Sequence, residues 1–90
     1  WFQPNKDYSV VISRGKEYFL SLRQAFCVSL LHETHTDGNH WLSGPDILRK
    51  IEPSRKGNMG IRMSDIFRDS PAWNDGLVLR NRQNFYRLNL

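Results

Sequence analysis

An α+β fold, three helices flanked by two β-hairpins, is predicted by three features of this ninety-residue sequence. The first is at the C-terminal end. The runs Leu77 to Leu79 and Phe85 to Leu90 are short, aliphatic and aromatic, and the polar stretch Arg80-Asn-Arg-Gln-Asn84 separates them, which is a hairpin pattern although the usual turn glycine is missing. The second is at the other end, where Tyr8 to Ser13 and Glu17 to Leu20 flank Arg14-Gly-Lys16 as strand, glycine turn and strand. The third lies between them, where Ser21 and Ser43 each stand at the head of a run with helical apolar spacing.

Taken in chain order, Trp1 to Asp7 read as a loose leading segment. Ser21-Leu-Arg-Gln24 matches a capping box, in which the serine hydroxyl accepts from an early helical amide and the glutamine reaches back. The helix it opens is expected to run to Glu33 or Thr34. Its Leu22, Ala25, Phe26, Val28, Leu30 and Leu31 cover more than one face, so burial against both the hairpin and the later helices is expected. Asp37-Gly-Asn39 ends it. His40-Trp-Leu42 is a short extended piece. A second helix follows with Ser43 as cap, Pro45 in the first turn where its missing amide costs nothing, and Asp46 complementing the helix dipole. Ile47, Leu48 and Ile51 form its buried stripe, and Pro53 stops it. After the glycine-punctuated basic link Ser54 to Gly60, a third helix is expected from Ile61 or Arg62 to Asp69, burying Met63, Ile66 and Phe67. Ser70-Pro71 closes it, and Ala72 and Trp73 pack back before Asn74-Asp-Gly76 turns into the C-terminal hairpin.

The net charge of +4 is unevenly distributed. Residues 1–48 hold four Lys/Arg and five Asp/Glu, a balance of −1, whereas residues 49–90 hold nine and four, a balance of +5. Positive charge gathered in one half points to a polyanionic partner. A chain of 39% hydrophobic and 24% charged residues has ordinary globular composition. No apolar run approaches the eighteen residues of a membrane span, so no membrane partner is expected. The single cysteine, Cys27, excludes an internal disulfide and fits a reducing, cytoplasmic setting, or a nucleoid or nuclear one for a DNA-bound protein. The sequence opens on Trp1 rather than Met, as a piece of a longer protein would.

The order helix, short strand, helix, helix, strand, arginine-tipped turn, strand over residues 21–90, with Gly76-Leu-Val and Tyr86-Arg-Leu around the turn, resembles the winged helix-turn-helix superfamily. Residues 1–20 then form an N-terminal β-hairpin extension. The family helix-turn-helix joins its helices by three or four residues, and here roughly eight separate the second from the third, which departs from the pattern. The resemblance implies double-stranded DNA as partner and transcription regulation as role, with the third helix in the major groove and the hairpin, or wing, on the adjacent backbone or minor groove. On that reading Arg55, Lys56 and Asn58 of the basic link meet phosphates, Arg62, Ser64 and Arg68 face outward from the third helix, and Arg80, Arg82, Gln83 and Asn84 extend from the wing. Amides near Ile61 add an anion site. Asp65 and Asp69 leave the helix face neutral, so the link and the wing are the stronger contacts.

The alternative reading is a protein-interaction or dimerisation scaffold, with Trp1 and Phe2 docking on the domain or on a partner chain. His32, His35 and His40, with Cys27 and Glu33 nearby, miss the known zinc spacings and read as structural histidines near a helix end. Cys27 lies among Phe26, Val28 and Leu30 and reads as a small buried hydrophobe. No phosphate loop, nucleophile elbow or acid pair is present in the sequence, so neither an enzyme nor a cofactor is expected.

Overall fold

A computed structural model describes residues 2–38, 41–51 and 62–90. Among these residues are four helices and two three-stranded antiparallel sheets. The first sheet has the order β1 (Phe2–Pro4), β2 (Val10–Ser13), β3 (Lys16–Phe19). Helix α1 (Leu22–Thr36) leads to β4 (Leu42–Ser43), α2 (Gly44–Ile51), α3 (Met63–Ile66) and α4 (Pro71–Asn74). The chain then forms β5 (Val78–Arg80) and β6 (Phe85–Leu88), and the second sheet runs β4-β6-β5. The α+β class is therefore as expected, with a fourth helix and one more strand than the sequence suggested.

β1 is the added strand. Phe2, Gln3 and Pro4 pair with Ser13, Ile12 and Val11, so the leading segment is not loose. Pro4 sits on an edge strand, where its missing amide leaves no ladder bond broken. Phe2 packs on His32 of α1 at a ring separation of 4.7 Å, and the Tyr8 hydroxyl lies 2.8 Å from His32 Nδ1. Phe2 thus docks on its own domain. Trp1 lies outside the described residues.

Between β2 and β3 the two-residue turn Arg14-Gly15 has φ of 52° and 80°, both left-handed, as a type I′ hairpin turn requires. Val11 and Tyr18, cross-strand partners, point into the core, and the opposite face carries Val10, Ile12 and Phe19. Three polar contacts tie this sheet to the C-terminal half. Asp75, after α4, accepts from Lys16 Nζ and, at 3.0 Å, from the Tyr18 hydroxyl; Arg14 donates to Asn89 Oδ1 at 3.2 Å. Hydrogen bonds from Lys16 and then Tyr18 hold the Asp75 carboxyl below the usual aspartate range. Since the folded value lies below the unfolded one, the stabilisation is present at neutral pH and disappears as pH falls through the folded value. Asp75→Asn is therefore expected to flatten the acid limb of stability below roughly pH 4, which urea melts at a series of pH values would show.

The capping box at α1 forms as the sequence indicates: Ser21 Oγ accepts from the Gln24 amide at 3.3 Å and Gln24 Oε1 accepts from the Ser21 amide at 3.0 Å. Gln24 also donates from Nε2 to the Ile66 carbonyl at 2.9 Å, fixing the start of α1 against the end of α3. The helix continues to Thr36, beyond the expected end, until Gly38 at φ 86° turns the chain. Ala25, Cys27, Val28 and Leu31 are buried, but Leu22 is 89% and Phe26 46% exposed, contrary to the expectation that both pack inward. They lie four residues apart on one stripe of α1, and no described element covers that stripe.

The third helix is much shorter than expected. It spans Met63–Ile66, and Asp69, at φ 59°, takes a left-handed conformation that no helix can continue through. Ser70-Pro71 then starts a new helix, with Ser70 as N-cap and proline in the first turn, rather than merely ending the old one. Met63, Ile66 and Phe67 are buried as expected, and Phe67 stacks on Trp73 with 5.5 Å between ring centres and 19° between planes. The eight-residue link anticipated between the second and third helices falls largely on residues 52–61, which lie outside the described residues. One continuous core includes Val11, Tyr18 and Leu20 of the N-terminal sheet together with Leu31, Ile47, Phe67 and Leu88.

Candidate nucleic-acid interface

The C-terminal hairpin closes without glycine. Asn84 takes the left-handed position at φ 65°, which asparagine tolerates better than most residues. Asn81 organises the remainder: its Oδ1 accepts from the amides of Gln83 and Phe85 at 2.9 and 3.0 Å, and its own amide donates to the Phe85 carbonyl at 3.0 Å. Arg82 and Gln83 occupy the exposed tip, and Arg80, Asn81, Arg82 and Asn84 line a hollow of about 160 Å³ there.

The base of the hairpin is held against α2 by the approach of two backbones. The Gly44 amide donates to the Asn84 carbonyl at 2.9 Å, and a Cβ at residue 44 would lie 2.7 Å from Asn84 Nδ2. Buried Tyr86 donates its hydroxyl to Asn84 Oδ1 at 2.6 Å. Burial raises the Tyr86 phenol above its ordinary range, with the nearby Arg80 guanidinium pulling the other way. The exposed Asn84 side chain is thus tied to Tyr86 of its own hairpin.

Between this base and the first turns of α2 and α3 lies a concavity of about 320 Å³. Leu48, Met63 and Tyr86 supply apolar lining, while Arg62, Ser64, Arg80 and Asn84 bring polar groups. Four of the residues nominated from sequence therefore meet at one place. Gly44 and Pro45 complete the lining, and with Leu48, Met63 and Tyr86 they were missed as site residues. Ser43-Gly-Pro45 had a sufficient reading as a helix start, and nothing local showed the Gly44–Asn84 approach.

Arg68 does not line the concavity. Its guanidinium donates to Asp65 Oδ1 at 3.0 Å, and the other oxygen of Asp65 accepts from the Arg62 amide at 3.1 Å with Arg62 Nε 3.9 Å away. One carboxylate thus faces both arginines that flank α3. Among the described residues, no carboxylate pairs with Arg80 or Arg82. Arg55, Lys56 and Asn58, and the amides around Ile61, lie outside the described residues.

Other candidate chemistry has structural uses. His32 bonds Tyr8 and packs on Phe2, and burial, with a smaller contribution from His35, lowers its pKa. No group of three or more His, Cys, Asp or Glu able to hold a metal occurs among the described residues, and His40 lies outside them. Cys27 is fully buried, and that burial pushes its thiol well above the range of a nucleophile. No helix among the described residues is long and apolar enough to cross a membrane. No family model matches this chain, and no curated protein or solved structure does either.

Proposed function

We propose that residues 21–90 act as a winged-helix module that grips double-stranded DNA through the C-terminal hairpin, in the service of transcription regulation. One observation carries this reading: Arg80 and Arg82 project from an exposed hairpin, free of carboxylate partners among the described residues, beside the concavity where α2 and α3 begin. Arginine in that setting suits phosphate oxygens, which it meets with planar, bidentate geometry. The strand order β4-β6-β5, with α2, α3 and α4 between β4 and β5 in sequence, supports the winged-helix assignment.

Phosphate neutralisation makes affinity fall with salt, with a slope of log affinity on log salt near −0.9 for each phosphate neutralised. Replacing Arg80 and Arg82 together by alanine is expected to weaken binding to every duplex sequence and to reduce the slope by about 1.8. Fluorescence anisotropy with a labelled random duplex across a salt series measures both quantities. A wild-type chain that binds no duplex even at low salt overturns the proposal.

The exposed apolar residues Phe19, Leu22 and Phe26 favour a second reading, a protein-interaction scaffold that leaves DNA alone. The same titration separates the two, because a scaffold gives no salt-sensitive anisotropy change.

A further inference from the structure

We infer that Asp65 is a positioning residue that weakens Arg62 and Arg68 as phosphate clamps, so that duplex binding draws more on the hairpin than on the α3 turn; this rests on the proposed DNA reading. The geometry is specific. Asp65 sits in the single turn of α3, and its two oxygens accept from two donors, the Arg62 amide at 3.1 Å and Arg68 at 3.0 Å, with Arg62 Nε 3.9 Å away in a looser ion pair. The backbone contact fixes the carboxylate, and the carboxylate in turn gathers both guanidinium groups.

The two arginines are well exposed, so the pairs themselves are weak and a phosphate could compete for either guanidinium. The effect of Asp65 is on the local field. A phosphate approaching this turn meets a carboxylate between the two cations, and Asp69 follows nearby in sequence, so Arg62, Asp65, Arg68 and Asp69 together carry no net charge. Arg80 and Arg82 have no such counterweight among the described residues. An interface whose cations were all unpaired would hold any duplex tightly. Cancelling the charge beside α3 lowers that indiscriminate component and leaves the helix face to contacts that depend on hydrogen-bond geometry.

The experiment is a salt series by anisotropy on a random labelled duplex, with the full chain and its variants checked for folding by circular dichroism. Asp65→Asn is expected to tighten low-salt binding and steepen the slope by roughly 0.9 for each guanidinium released to a phosphate. Asp65→Glu, which keeps the charge, is expected to stay near wild type. Adding R62A and R68A to D65N should cancel the gain, because those side chains are its source. In the wild-type background, R62A/R68A should lower the slope less than R80A/R82A does.

An unchanged slope in D65N, or a gain that persists in the triple variant, overturns the inference. So does an R62A/R68A loss as large as that of the hairpin variant, a readout that needs no change at Asp65. If the wild type binds nothing while D65N binds through its freed arginines, the inference stands and the hairpin reading falls. If D65N too binds nothing, both fall.

Discussion

Replacing Phe67 by alanine is expected to remove roughly half of the stability of this domain. The side chain is fully buried, lies at the end of α3, and stacks on Trp73 across the turn that leads into α4. Truncating a buried phenylalanine costs about 3–5 kcal/mol in lost burial and residual cavity. A domain of this size has on the order of 5–10 kcal/mol to lose. The site also has little room to collapse, since α3 is a single turn and Asp69 and Ser70 hold the chain in a fixed reversal. Leu22→Ala is the matched control. Leu22 is 89% exposed, and its truncation is expected to change stability by less than about 0.5 kcal/mol despite removing a larger residue than many core substitutions do. Urea melts of the two variants test the pair, and a Phe67→Ala loss below about 1 kcal/mol would mean that the Phe67–Trp73 stack is not part of the cooperative core.

Gly44→Ala is expected to lower stability by about 1–3 kcal/mol and to loosen the hairpin. The added Cβ would meet Asn84 Nδ2 at 2.7 Å, and Asn84 Cγ and Tyr86 Cε1 at 3.2 Å. An asparagine amide would ordinarily swing aside at small cost. Here its Oδ1 accepts from the Tyr86 hydroxyl, its carbonyl accepts from the Gly44 amide, and its backbone is already left-handed. The remaining way to relieve the clash is to move the hairpin away from α2. Cleavage by trypsin after Arg82 should become faster, and duplex affinity should fall. The double variant G44A/N84G provides the check: glycine at residue 84 removes the obstructing side chain and accepts the positive φ readily, so stability should largely return. Failure of that rescue would place the cost of Gly44→Ala somewhere other than this contact.

The comparison of sequence with structure divides along the range of the interactions involved. Ser21 and Gln24 announced their helix because a capping box is complete within four residues. The two hairpins were legible for the same reason, although Asn84 filled the position where glycine was sought. What escaped notice depended on distant partners. Phe2-Gln-Pro4 has no strand pattern of its own, and becomes a strand because β2 offers it an edge and His32 a surface. Leu22 and Phe26 have helical apolar spacing, but which stripe of α1 is covered depends on where both sheets settle, and no described element covers theirs. The fourth helix was overlooked on different grounds: Ser70-Pro71 is a stop and a start at once, and only the stop was read. At the candidate site, arginines on the hairpin were visible as letters. The Asp65–Arg68 pair was visible in its i,i+3 spacing, whereas the Gly44 contact was invisible because Asn84 lies forty residues further along the chain.

The position of β6 bears on how the protein is made. Phe85–Leu88 form the middle strand of the second sheet, with β4 on one side and β5 on the other. During synthesis the ribosome therefore delivers both flanking strands before the strand that joins them. Until Leu88 has cleared the exit tunnel, β4 and β5 have no partner within that sheet, and Leu42 and Val78 remain open to competing associations. A released fragment of residues 1–84 should thus be captured by hydrophobic-binding chaperones, and a fragment of residues 1–90 should not.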